Sequence, residues 1–243
     1  MAERDSLMPA ESFLRQDMKV TLLSYTKDAE RLCAAAARSC YSKKGASKLL
    51  EEMDEQKAGK AISEITSLGH HSVIEHASFT FSIEGVSRAL THQLVRHRIA
   101  SFSQQSQRYV SLKEATFVTP PSIEADQELK EEFLDLMRRA WECYRKMSEK
   151  VPAEDARYVL PNACTTNITV TMNARELWHF FSLRCCRRAQ WELRAVADEM
   201  LRQVKQVSPA LFSEAGPGCV RGPCPEGKMS CGKPRRQELK NLK

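Results

Sequence analysis

The chain has 243 residues, enough for one large domain or two small ones, either with a full buried core. Its 42% hydrophobic and 28% charged composition argues against extensive disorder, and no apolar run approaches the roughly 20 residues that span a bilayer. A formal charge of +6 points to anionic ligands, but it is small for a nucleic-acid binder and suits a nucleotide-sized ligand at least as well.

The opening MAERDSLMPAESF is polar and mixed in charge, unlike a secretory signal, so a cytoplasmic location is expected and most of the nine cysteines are read as reduced thiols. MKVTLLSYT reads as a first strand and KDAERLCAAAARSCYS as an alanine-rich helix. KAISEITSLGH predicts a helix ending near Gly69, a residue suited to a left-handed cap. In GHHSVIEH, the cluster His70, His71, Glu75 and His76 invites a metal reading. No HExxH is present, so helix-end polar contacts or the rim of a ligand pocket are the preferred reading.

ASFTFSIEG alternates Phe79, Phe81 and Ile83 with Thr80, Ser82 and Glu84, the period of a half-buried strand. In VSRALTHQLVRH the period changes: Val86, Leu90 and Leu94 form one set, and Arg88, His92 and Arg96 form another, offset by about 200° around a helix. This predicts a helix with one buried face and one basic stripe, followed by a loop, IASFSQQSQ. A long amphipathic helix is expected to bury Leu129, Phe133, Leu136, Ala140, Tyr144 and Met147, followed by a strand, TTNITVTM. Two more helices follow, ARELWHFFSLRCC and AQWELRAVADEMLRQVKQ, with Cys185 and Cys186 as buried packing thiols. Beyond Ser208, Gly, Pro, Cys and Lys accumulate as in an appended tail. Strands and helices do not alternate regularly, so the class expected is α+β.

The densest donor cluster is RHRIASFSQQSQRYV. Arg96, Arg98 and Arg108 around Ser106 would make a phosphate cradle, because the guanidinium fork matches phosphate bidentately; a solvent-exposed basic loop is the plainer alternative. Ser106 has no GxSxG elbow and reads as a hydrogen-bonding residue rather than a nucleophile. Arg157 precedes Pro161 in DARYVLPNA. Arg184 follows Leu177, Trp178, Phe181 and Leu183, so it needs an anion, several acceptors or a structural ion pair. Cys219, Cys224 and Cys231 lack the paired CxxC spacing and read as surface thiols; zinc with a fourth ligand is the alternative.

RHRIASFSQQSQRY resembles the RHR…S signature of the flavin-dependent thymidylate synthases (ThyX). GHHSVIEHASFTF, VPAEDARYVLP and TMNARELWHFFSLR…AQWE resemble further blocks of that family in the same order, so the likeness spans roughly Met18 to Ala215. The resemblance implies a ThyX-like α+β fold, a mixed or antiparallel sheet packed with several long helices. It also implies a homotetramer whose sites form between subunits. It divides the chain into an N-terminal extension (1–17), a catalytic domain (18–215) and a tail (216–243).

The implied reaction methylates dUMP to dTMP, with carbon from methylenetetrahydrofolate and electrons from NADPH through bound FAD. The family pattern places FAD on His70, Ser72, Arg96, His97, Arg98, Gln104, Asn173, Ala174, Arg175 and His179. It places dUMP on Gln93, Leu94, Val95, Arg96, Gln104, Gln105, Ser106, Gln107, Arg108, Arg157 and Arg184, with Arg184 as the catalytic residue that polarises the uracil ring. No metal, nucleic acid or membrane is implied. Three positions depart from the family: Ser103-Gln104 stands where Asn-Glu is common, His179 replaces an asparagine and Ser72 a threonine. The reading from another class is a basic nucleic-acid-binding module with a metal-binding cysteine tail, for which Phe102 and Tyr109 give few stacking platforms.

Overall fold

Four strands and the helices between them account for most of the residues described by the computed structural model, which are 18–110, 116–240 and 242. The expected N-terminal extension, 1–17, lies outside them. In chain order the elements are β1 (Lys19–Tyr25), α1 (Ala29–Ser39), α2 (Ala46–Glu51), α3 (Glu55–Ser67), a 3-10 turn (His71–His76), β2 (Ser78–Ser87), α4 (Arg88–Leu94) and β3 (Ala100–Gln104). Then come α5 (Pro121–Glu124), α6 (Gln127–Ser148), α7 (Ala153–Ala156), β4 (Thr165–Asn173), α8 (Ala174–Arg184), α9 (Trp191–Val207), α10 (Pro209–Phe212) and α11 (Arg236–Lys240). The strands form one antiparallel sheet in the order β1-β2-β4-β3, and the class is α+β.

β2 behaves as its alternation predicts, with Phe79, Phe81 and Ile83 fully buried. Beside it, β4 buries Ile168, Val170 and Met172. The described residues divide into two compact units: Glu84–His92 with Gln104–Asn167, and Lys19–Ile83 with Gln93–Ser103 and Ile168–Lys243.

In the second unit, α9 presents Leu193, Val196, Ala197, Met200, Leu201 and Val204 at three- and four-residue spacing, and all are buried. Gln203 ties this helix to β1: its side-chain oxygen accepts from Leu22 N at 2.6 Å and its amide donates to Val20 O at 2.8 Å. Phe212 of α10 meets Phe79 edge to face at 5.2 Å and Phe181 of α8 at 6.1 Å. The segment after α10 is packed as well. Val220 and Leu239 are buried, and Arg235 forks onto Asp198 with two bonds of 2.9 Å. Gly216 takes φ 138°, and a Cβ there would meet Val220 at 3.0 Å and Leu239 at 3.2 Å, so this turn depends on glycine.

In the first unit, α6 buries Met137, Trp141 and Tyr144, the last two stacked at 5.3 Å beside Ala156, Val159 and Leu160. Tyr144 is buried as expected, but Leu129, Leu136 and Met147 are 49%, 53% and 40% exposed, which corrects that part of the expected face. Two apolar arcs overlap on this helix; the aromatic pair, with more area to bury, marks the covered one.

Three further expectations change. IASFSQQSQ contains β3 rather than a loop: among the described residues it is the end strand of the sheet, and its Ser101 and Ser103 are exposed. The helix expected over VSRALTHQLVRH is shorter: Val86 belongs to β2 and α4 ends at Leu94, although Val86, Leu90 and Leu94 are all buried as expected. Cys185 is buried, but Cys186, beyond the end of α8, is only half-buried.

Candidate functional site

α8 begins where β4 ends, and Asn173 caps it by accepting from Glu176 N at 2.8 Å. That cap fixes the phase of the helix, placing Glu176 and Arg184 roughly two turns apart. His97 bridges them. Arg184 Nε donates to His97 Nε2 at 3.1 Å, and an arginine can only donate. His97 Nε2 therefore carries no proton; the proton sits on Nδ1 and is donated to Glu176 Oε1 at 2.9 Å.

His97 and Glu176 have side chains only 3% and 7% exposed. Burial pushes the His97 pKa below its ordinary 6.5; Glu176 opposes this shift and the Arg184 charge reinforces it. Burial also lowers the pKa of Arg184, whose guanidinium is partly removed from water. His97 is packed edge-on against Phe180 at 5.0 Å and His179 at 5.7 Å.

These groups line a cavity of about 880 Å³ within the second unit. Its other walls are His71 and Glu75 of the 3-10 turn, Arg96, Arg98 and Ile99 after α4, Arg175, Trp178, Ser182 and Leu183 of α8, and Arg221. Arg175 pairs with Glu75. Trp178 lies 5.2 Å from the His71 ring, and its indole N–H donates to Leu211 O at 2.8 Å. Arg221 sits 5.4 Å from the Trp178 ring centroid.

Of the expected flavin residues, Arg96, His97, Arg98, Asn173, Arg175 and His179 line this cavity together with the expected catalytic Arg184. His70, Ser72 and Ala174 stand next to lining residues in the chain but do not line it. Ala174 is buried and donates its N–H to Ala77 O at 2.8 Å. Gln104 belongs to the first unit, where its amide donates to Thr91 at 3.0 Å and Thr166 at 3.4 Å.

The expected dUMP residues fall in both units. In the second, Gln93 O accepts from Arg96 N at 3.3 Å and Val95 is exposed. Leu94 has a fully buried side chain, which leaves only its backbone for a ligand.

In the first unit, Gln105 N donates to Asn167 O at 2.9 Å and Ser106 Oγ accepts from Arg108 N at 3.2 Å, with Gln107 half-buried beside them. Ser106 thus closes a local turn, in keeping with a hydrogen-bonding role. Arg108 binds the Glu154 carboxylate at 2.9 and 2.8 Å, and Arg157 donates to the Glu154 backbone carbonyl at 3.1 Å. Arg88 of α4 is half-buried; burial lowers its pKa, and Cys164 raises it while Arg157 lowers it further.

Glu176, Trp178 and Arg221 were not named as site residues from the sequence. Glu176 had a visible signal, an acid three residues after a helix-capping asparagine inside an apolar run. Arg221 had none, because it lies in a segment of tail-like composition. Among the described residues no group of three or more His, Cys, Asp or Glu is arranged to hold a metal ion, so neither the histidine cluster nor Cys219, Cys224 and Cys231 converge on one. Those three thiols and Cys186 instead border a separate cavity of about 300 Å³.

Residues 21–210 match the family described as thymidylate synthase complementing protein. The flavin-dependent thymidylate synthase of Geobacter sulfurreducens is 57% identical over 228 residues, covering 93% of this chain and 97% of that protein. The Clostridium tetani protein of the same name is 51% identical over 233 residues, covering 89% and 94%. Among solved structures, a UMP/dUMP methylase, PolB, from Streptomyces cacaoi bound with 5-Br dUMP is similar with a TM-score of 0.72 at 26% identity, covering 82% of this chain and 95% of that one. The chain belongs to the flavin-dependent thymidylate synthase family.

Proposed function

We propose that the chain reductively methylates dUMP to dTMP, using bound FAD, methylenetetrahydrofolate as carbon donor and NADPH as reductant. The observation that carries this reading is the Glu176–His97–Arg184 chain of hydrogen bonds on the wall of a cavity that also presents Arg96 and Arg98. The residues suit a flavin dinucleotide. The volume of about 880 Å³ falls in the range of cofactor sites. Guanidinium forks complement a diphosphate, and the rings of His71 and His179 offer flat surfaces to a conjugated system. FAD would supply the redox chemistry.

The residues proposed to hold it are Arg96, His97, Arg98, Asn173, Arg175 and His179, with His70, Ser72, Ala174 and Gln104 completing the family set. Arg184 is assigned to the uracil ring. With Nε engaged by the neutral His97, its two Nη groups remain for a pyrimidine carbonyl, and a fixed cation in a partly dry pocket stabilises negative charge as it develops there. His97 and Glu176 orient that guanidinium without adding a second positive charge.

Arg108 and Arg157, beside Ser106 and Gln107, are assigned to the dUMP phosphate; Glu154 holds Arg108 at the surface until an anion competes for it. Gln93, Leu94, Val95, Arg96, Gln104 and Gln105 complete the proposed dUMP set. In the homotetramer that the resemblance implies, flavin and nucleotide residues come from more than one chain. The exposed Leu129, Leu136 and Met147 on α6 support such an assembly. The nucleic-acid reading is weaker, since Arg96, Arg98, Arg175 and Arg184 gather around a cavity instead of forming an open stripe.

The test is dTMP formation by purified protein supplied with FAD, NADPH, methylenetetrahydrofolate and dUMP. Product that requires all four components supports the reading. A flavin-loaded protein that forms no dTMP overturns it.

A further inference from the structure

The C-terminal segment is attached to the second unit by charge and by packing. Leu239 is fully buried, and Arg235 forks onto Asp198 and donates to Cys185 O at 2.7 Å. Burial opposes the Arg235 charge, but the hydrogen bonds it donates to Asp198 and Glu238 outweigh this and hold the guanidinium firmly protonated. Arg187 pairs with Glu238, Arg188 with Glu226, and Lys240 with Glu214 at 3.1 Å. The Gly216 turn, closed against Val220 and Leu239, starts the segment on this path. A segment with so many anchors near both of its ends places the residues between them reproducibly.

One of those residues reaches the main cavity. Arg221 Nη1 donates to Glu214 O at 2.8 Å and Gly216 O at 3.3 Å, and its guanidinium lies against Trp178. Among the described residues no carboxylate pairs with it, whereas Arg175, Arg187, Arg188 and Arg235 each have one. The two carbonyls occupy a single nitrogen, which leaves Nε and Nη2 of the fork. Arg221 adds a positive charge to a cavity already lined by Arg96 and Arg98, an arrangement that an anionic ligand would offset.

We propose that Arg221 is an additional ligand for the diphosphate of the flavin dinucleotide, positioned by the C-terminal segment. The proposal rests on the assignment of this cavity to FAD. A diphosphate is the ligand chemistry that fits, because its adjacent charged oxygens engage several guanidinium forks at once. The residues assigned to the dUMP phosphate, Ser106 to Arg108 and Arg157, belong to the other unit. The segment that carries Arg221 lies beyond the region matched by the family model, 21–210.

The test is a flavin-fluorescence titration of the full-length protein with FAD, over a range of salt concentrations and with thermal unfolding in parallel. Arg221→Gln keeps a donor for the Glu214 carbonyl and removes the charge; its FAD dissociation constant should rise about tenfold or more, with a shallower salt dependence. Arg221→Lys should recover part of the affinity. Wild-type affinity and salt dependence in Arg221→Gln would overturn the proposal. So would an Arg221→Lys protein as weak as Arg221→Gln, which would make Arg221 only a pin for the 214–216 turn. Wild-type protein that binds no FAD at all would overturn the assignment of the cavity along with it.

Discussion

Two clusters of arginine serve this chain in different physical settings. In the first unit Arg108 meets Glu154 with both side chains about half exposed, 50% and 48%. In the second, Arg184 donates to a histidine that is almost completely buried, as is the glutamate behind it. A surface ion pair contributes about 0–1 kcal/mol, so Arg108 can exchange Glu154 for a ligand anion at little cost. The buried set cannot exchange partners. Each of its polar atoms depends on the next, so the same contacts hold α8 to the 96–99 turn and aim Arg184.

This contrast can be broken by substitution. The largest effect is expected for Arg184→Ala: turnover to dTMP should fall by about two to three orders of magnitude, with flavin affinity changed only a few-fold. Measured kcat and a parallel flavin titration decide it, and full activity would refute the role of Arg184.

Next is Glu176→Ala, which strands the buried Nδ1–H of His97. A cost of about 2–3 kcal/mol should lower the melting temperature by roughly 5–10 °C. A melting curve unchanged from wild type would mean that the buried chain contributes no more than the surface pair. Arg108→Ala should do the opposite: KM for dUMP rises about tenfold while stability stays within about 1 kcal/mol.

The smallest effect is on pH dependence. The native His97 pKa lies below the 6.5 of the unfolded chain, so between those two values the unfolded state holds more protons and acid favours unfolding. The stability difference between wild type and His97→Gln should be constant above about pH 6.5 and should turn against wild type as pH falls below it. Chemical denaturation across that range measures it, and a difference independent of pH would contradict a neutral, buried His97.

Legibility in the sequence followed the same division. The alternation of Phe79, Phe81 and Ile83 and the stripe on α9 were readable because each element has one buried face, so period alone assigns the side chains. β3 is hard to read in the sequence because the alternation of Ala100 and Phe102 with Ser101 and Ser103 is short and has only one large apolar residue. On α6, periodicity could not decide between Leu136 and Met137 as the covered neighbour, since both continue an apolar arc. The motif around Arg96–Arg98 and the Asn173–Arg184 block led to one cavity, because a contiguous motif travels with its backbone. Arg221 was not legible: it reaches that cavity through contacts made by Gly216, Arg235 and Leu239. Those pairings are long-range, and no local pattern reports them.

The most direct test of the flavin assignment is FAD binding to wild type and to the double variant Arg96→Ala, Arg98→Ala. Both side chains are exposed cavity residues, so the fold should survive their truncation. Wild type should bind FAD, and the double variant should bind it about a hundredfold more weakly while melting at nearly the same temperature. Equal affinity in the two proteins would place the flavin elsewhere and contradict the assignment.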